Sequence, residues 1–112
     1  MADFGLNEML TMQRELQDKY KDKYKDKWEQ ISPEAGQNKL LWMIGEIGEV
    51  IDIIKKNGSG KAVSDDTLRE KLIEELADVL MYYNDVLLCY GITTDELKHS
   101  YTNKFMKNMT RW

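Results

Sequence analysis

Four acidic residues stand as two pairs inside the two most hydrophobic stretches of the chain: Glu46 and Glu49 in LLWMIGEIGEVIDII, Glu75 and Asp78 in LIEELADVLMYY. Each pair has helical i, i+3 spacing, which puts both carboxylates on one face. Charged groups set among Leu, Ile, Met and Trp need compensation, because an unpaired buried carboxylate is costly or takes up a proton instead. Four of them without a matching buried base call for a cation. All-oxygen ligands suit Mg²⁺, with Mn²⁺ as the alternative, and the chain lacks the Cys and His set of a structural zinc site. Clustered without an ion, the four would repel one another and some of their pKa values would rise.

The competing reading is that these are ordinary helix-surface acids paired with Lys55, Lys56 or Lys71. A helical wheel at about 100° per residue argues against it. Leu40, Met43, Ile44, Ile47, Val50, Ile51 and Ile54 form one broad apolar arc, with Glu46 between Val50 and Ile53, Glu49 at the edge beside Trp42 and Ile53, and Asp52 on the polar side. On the next helix Leu68, Leu72, Leu76, Val79, Tyr83 and Val86 form the expected core face. Glu75 and Asp78 flank it, while Glu70, Glu74 and Asp85 fall on a more polar side. Antiparallel pairing of these two helices would bring the four acids together. A ferritin-like di-iron site would need Glu-x-x-His pairs, and the one histidine, His99, lies elsewhere, as a surface or interface residue.

Four helices are expected to position these groups. The first runs from an N-cap at Asn7 to Gln30. Its four-residue echo lines up Tyr20, Tyr24 and Trp28 in a stripe continuing Met9, Met12 and Leu16, with a salt-laced outer face. Ser32-Pro33 suits a start and Gly36 a break. The second helix spans Asn38 to Lys56 and ends at Asn57-Gly58, where a polar loop, Ser59 to Asp66, follows. Thr67-x-x-Glu70 and Thr93-x-x-Glu96 are capping-box patterns opening a third helix, which reaches Tyr90, and a fourth running towards the C-terminus. Gly45 and Gly48 cost helix propensity, so close approach of a helix or ligand is expected there.

The 112 residues read as one all-α domain, 1–112, with 42% hydrophobic and 32% charged residues and strand-like alternation nowhere sustained. A net charge of −4 disfavours nucleic-acid polymers as partners. No apolar run has membrane-spanning length, MADFGLNEML lacks a signal-peptide pattern, and Cys89 stands alone as a buried thiol, so a cytoplasmic protein is expected. The second and third helices are apolar around more of their circumference than one small bundle can cover, which predicts self-association, as a dimer at least.

The runs Gly45-Glu46-Ile47-Gly48-Glu49-Val50 and Glu74-Glu75-Leu76-Ala77-Asp78-Val79-Leu80 resemble the MazG-like all-α nucleoside triphosphate pyrophosphohydrolases, among them dCTP and dUTP pyrophosphatases. The resemblance covers about Trp28 to Arg111 and includes a Lys104-x-x-x-Asn108-x-x-Arg111 tail. Many members carry a double Glu at the first pair, where this chain has Gly45. The resemblance implies a four-helix MazG-like bundle, assembled as a dimer or tetramer, in which Glu46, Glu49, Glu75 and Asp78 hold Mg²⁺. It implies hydrolysis of a (deoxy)nucleoside triphosphate to monophosphate and pyrophosphate in nucleotide-pool house-cleaning, with Glu46 or Glu49 activating the water. Trp28, Asn38 and Tyr82 match positions near the nucleotide in the dCTP relatives, and each has a packing or capping alternative. Tyr101, Lys104, Asn108 and Arg111 share one helical face, suited to phosphates or to solvent, opposite Phe105, Met106, Met109 and Trp112. Phosphoribosyl-ATP pyrophosphohydrolase-like activity and a non-catalytic metal-binding helical oligomer are the rival readings.

Overall fold

The computed structural model describes residues 4–111, and Trp112 lies outside the described residues. Every regular element among them is helical: α1 (Leu6–Tyr24), 3₁₀ turns at Lys25–Lys27 and Pro33–Ala35, α2 (Gly36–Asn57), α3 (Ser59–Ser64), α4 (Asp66–Cys89) and α5 (Thr94–Arg111). The centre is the antiparallel pair α2–α4, with α1 and α3 packed on α4.

The helix ends follow local chemistry. Gly5, not Asn7, precedes α1, and its N–H donates to Glu8 Oε2 at 3.2 Å. The first helix stops at Tyr24, six residues short of the expected Gln30, because Lys25 adopts φ 48°. Ser32 Oγ accepts from the Ala35 N–H as expected of a start. Gly36 does not break the chain; it begins α2, and a Cβ there would overlap the Tyr90 ring at the end of α4. Residues 59–64, expected as loop, form the short helix α3, which buries Ala62. The cap of α4 is Asp65, whose Oδ1 accepts from the Leu68 N–H at 3.0 Å, so Thr67 lies inside the helix instead of capping it. The Thr93/Glu96 box forms as its pattern predicts: Thr93 N–H donates to Glu96 Oε1 at 3.0 Å, and Glu96 N–H to Thr93 Oγ1 at 3.1 Å.

The inner face of α2 is a heptad line, Lys39, Met43, Glu46, Val50 and Ile53, all buried or half-buried. Four members of the expected core arc, Leu40, Ile44, Ile47 and Ile51, instead face outward with Leu41 and Trp42, the last 63% exposed. On α4 the reversal repeats: Leu76 is 48% exposed with Ile73, Leu80 and Met81, while Asp85, expected on the polar side, is 2% exposed. A Cβ at Gly45 or Gly48 would meet nothing within 4 Å, so neither glycine serves a close approach within the chain.

Helix α5 projects from the rest, and every residue from 98 to 111 is exposed, including His99. Its first turn is tied to α1 by Thr94 Oγ1 donating to Asn7 Oδ1 at 2.8 Å. The radius of gyration, 16.7 Å, exceeds the roughly 13 Å typical of a compact chain this long. No helix among the described residues is long and apolar enough to cross a membrane.

Lys25 pays for its backbone conformation, since a side chain at that φ and ψ of −118° is disfavoured by about 1–3 kcal/mol and glycine is not. Lys25→Gly is therefore expected to raise unfolding stability by about 1 kcal/mol in urea titrations. An unchanged or lowered midpoint would show that Lys25 is unstrained.

Candidate active site

The carboxylate cluster is a product of helix register. With α2 and α4 antiparallel, Glu46 meets the Glu75–Asp78 turn, and one oxygen from each of Glu46, Glu75 and Asp78 lies within 4.8 Å of the others. All three are half-buried. Glu75 Oε2 is sealed from solvent and has no hydrogen-bond partner. Glu49 is exposed, at the rim, near enough for its charge to act on both Glu46 and Glu75. Lys55, Lys56 and Lys71, the alternative partners, form no ion pair with any of the four; the recorded ion pair among the described residues joins Lys39 and Asp85.

Burial raises the pKa of Glu46 first, then the hydrogen bond and charge of Glu49, then the charges of Asp78 and Glu75. Burial also raises Glu75, reinforced by Glu49, Asp78 and Glu74. A divalent cation fits these residues: it would partner the orphaned Glu75 oxygen, and an all-carboxylate donor set matches a hard ion.

Beside the cluster, on the Asp78 side, opens a cavity of about 160 Å³. Trp28 and Tyr82, both anticipated, line it together with Tyr20. The stripe Tyr20, Tyr24 and Trp28 persists as a ring cluster even though α1 has ended: Tyr20–Trp28 centroids are 4.7 Å apart and Tyr24–Trp28 5.6 Å. Burial raises the Tyr82 phenol, assisted by Glu46, Asp85 and Asp78.

The cavity floor was not anticipated. Gln13 Nε2 donates to Asp85 Oδ1 at 2.7 Å and Gln17 Nε2 to the same oxygen at 3.0 Å. Lys39 Nζ lies 3.7 Å from Asp85 Oδ2, and the Trp28 indole N–H donates to Gln17 Oε1 at 2.9 Å. All four polar side chains belong to residues at most 7% exposed. The signal was present in the register: Lys39 precedes Glu46 by one heptad, and Asp85 follows Asp78 by one.

Other anticipated residues lie apart. Asn38 is exposed and donates to Glu29 Oε2 at 3.0 Å, so it is neither an N-cap nor a wall of this cavity. Tyr101, Lys104, Asn108 and Arg111 ride on the projecting α5 and line neither this cavity nor the groove on the other side of the cluster. That second groove contains Glu49, Asp52, Lys56, Asn57, Lys71 and Glu75. Cys89 is buried, and burial raises its thiol pKa.

In this all-helical chain, carboxylates of two antiparallel helices converge beside an aromatic-walled cavity. The description of the MazG nucleotide pyrophosphohydrolase domain matches residues 34–109, and the chain belongs to that family. Neither a curated protein nor a solved structure gives a significant match.

The raised carboxylates carry a stability consequence. An acid whose folded pKa exceeds its unfolded value, here 4.5, binds more protons when folded. Stability is then fully present below about pH 4.5 and is lost as pH rises through the folded values. In cation-free buffer the melting temperature should fall across that window, and the slope should flatten in Glu75→Gln. A cation-free melting curve that rises with pH over the same range would contradict the cluster.

Proposed function

We propose that the protein hydrolyses a nucleoside triphosphate, a deoxynucleotide in particular, to the monophosphate and pyrophosphate with Mg²⁺, and that it serves to remove unwanted nucleotides. The observation that carries this reading is the convergence of Glu46, Glu75 and Asp78 around an orphaned Glu75 oxygen, next to a cavity that admits a base. Family membership supports the reaction class.

Glu46, Glu75 and Asp78 would hold the cation, with Glu49 completing the set from the rim. A divalent ion there supplies charge neutralisation for the polyphosphate and makes water easier to deprotonate. The attacking water adds to the α-phosphorus, the bond to the α–β bridging oxygen breaks, and pyrophosphate leaves. Glu49 is suited to accept the water's proton, because it is solvent-accessible at the rim of the cluster. Glu46 is the alternative base. Lys56 and Lys71, in the groove beside Glu49 and Glu75, are suited to the departing phosphates.

The test is product analysis on a panel of nucleoside triphosphates with Mg²⁺. Monophosphate and pyrophosphate are expected; diphosphate and phosphate would contradict the proposal. Glu75→Gln should lower kcat/KM by more than about 100-fold while leaving the far-UV circular dichroism unchanged. Full activity in that variant would remove Glu75 from the site.

Self-association belongs to the same proposal. Leu40, Ile44, Ile47 and Ile51 form an exposed apolar stripe along α2, and Ile73 and Leu76 on α4 are exposed as well, with no cover from the chain itself. Such a face is more extensive than scattered surface residues account for, and a second copy would cover it. A dimer or tetramer is expected by sedimentation, with Ile47→Asp shifting it to monomer. A wild-type monomer at high concentration would overturn the assembly.

A further inference from the structure

We infer that the groove between α1 and α4 receives helix α5 of a second copy of the chain, with the Tyr101 phenol of that copy donating to the unpartnered carbonyl oxygen of Asn84. The inference rests on the self-association proposed above. It adds which segment is exchanged, where it lies and which polar contact selects it.

The groove has an unmet requirement. Phe4, Met9 and Met12 line it from the α1 side and Leu80, Met81 and Asn84 from α4; no charged residue does, and none of the clustered carboxylates. Asn84 is 2% exposed. Its amide nitrogen donates to the Leu80 carbonyl at 3.0 Å, within α4. Its carbonyl oxygen accepts nothing and is sealed from solvent. A buried amide oxygen in that state is destabilising unless a donor arrives. Three of the lining side chains are methionines, which re-pack readily around an incoming group. An apolar wall with one acceptor suits a side chain with an apolar body and a donor tip, which is the chemistry of tyrosine.

Helix α5 supplies that chemistry and lacks a place to put it. Its 18 residues include no alanine and none is buried. Such a helix takes most of its stability from packing an apolar face. Tyr101, Phe105 and Met109 recur every fourth residue along it, and Tyr101 is 75% exposed. Of the three, Tyr101 alone carries a strong donor. Charge points the same way. Residues 98–111 hold four basic side chains and no acidic one in a chain of net charge −4, so the remainder of each copy is acidic and attracts the arm of another.

The arm in the groove belongs to a second copy because the direction of a chain's own arm is fixed. The Thr93–Glu96 box and the Thr94–Asn7 hydrogen bond set the first turn of α5 against the start of α1. From that root no residue of α5 lines the groove. A two-fold axis passing near the root would exchange the arms reciprocally. Leu80 follows Ile73 and Leu76 along α4 at helical spacing, so the groove adjoins exposed apolar residues that a partner would cover. The arm therefore adds to that pairing and does not build a separate one.

Two experiments test the exchange. Hydrogen exchange, read by mass spectrometry, is followed on the wild type when assembled and again when diluted to monomer. Amides of residues 98–111 should exchange at least about tenfold more slowly in the assembled protein. Equal exchange in the two conditions would overturn the inference and leave the assembly standing. A wild type that is monomeric at every concentration would remove both. In the second experiment, sedimentation measures the dissociation constant of the assembly for Tyr101→Phe, alone and with Asn84→Leu. Tyr101→Phe alone should raise the constant by about tenfold or more, because a two-fold pair loses the bond twice. Added to Asn84→Leu it should change nothing further. An unchanged constant in Tyr101→Phe, or the same rise in both backgrounds, would overturn the contact.

Discussion

The antiparallel register of α2 against α4 is the constraint on which the rest depends. It sets Lys39 against Asp85, Glu46 against Glu75 and Asp78, and Val50 and Ile53 below them, in one continuous heptad line. The apolar lower turns and the satisfied upper layer hold the helices together. The middle layer, three mutually repelling carboxylates, is carried at their expense. Slipping the register by one turn would separate the acids and also strand Lys39 and Asp85, each buried and each needing the other. The repulsive layer is therefore enforced by its neighbours.

The first helix has a part in this beyond covering the core. Its two fully buried residues are glutamines, Gln13 and Gln17, and both are committed to Asp85. The docking of α1, the position of Trp28 and the shape of the cavity are consequently one polar network. By contrast α5, capped by Thr93 and Glu96 but lacking a buried face in the chain, behaves as an arm whose Phe105, Met106 and Met109 remain uncovered.

Much of this was legible from residue types and spacing. The all-α class, the convergence of Glu46, Glu75 and Asp78, the Thr93 capping box and the Ser32–Pro33 start all follow from local chemistry that tertiary context does not override. The inward arc of α2 was not legible by hydrophobicity. Leu40, Ile44, Ile47 and Ile51 are more apolar than Lys39, Met43 and Glu46, so the apolar maximum points at the uncovered face and away from α4. The same inversion hid Asp85 and Lys39, whose burial is intelligible only once Gln13 and Gln17 arrive from a helix about 70 residues earlier in the chain. The early end of α1 at Tyr24 has no glycine or proline to announce it, only a lysine in a backbone region that lysine disfavours.

The central claim is that Glu46, Glu75 and Asp78 are held in place to take one divalent cation between two helices. Mn²⁺ electron paramagnetic resonance on the wild type, Glu46→Gln and Asp78→Asn measures this most directly. The account predicts that Mn²⁺ bound by the wild type loses the free aqueous ion's signal, and that each substitution restores most of it at the same concentrations. Mn²⁺ that remains free with the wild type, or that binds all three proteins equally, would contradict it.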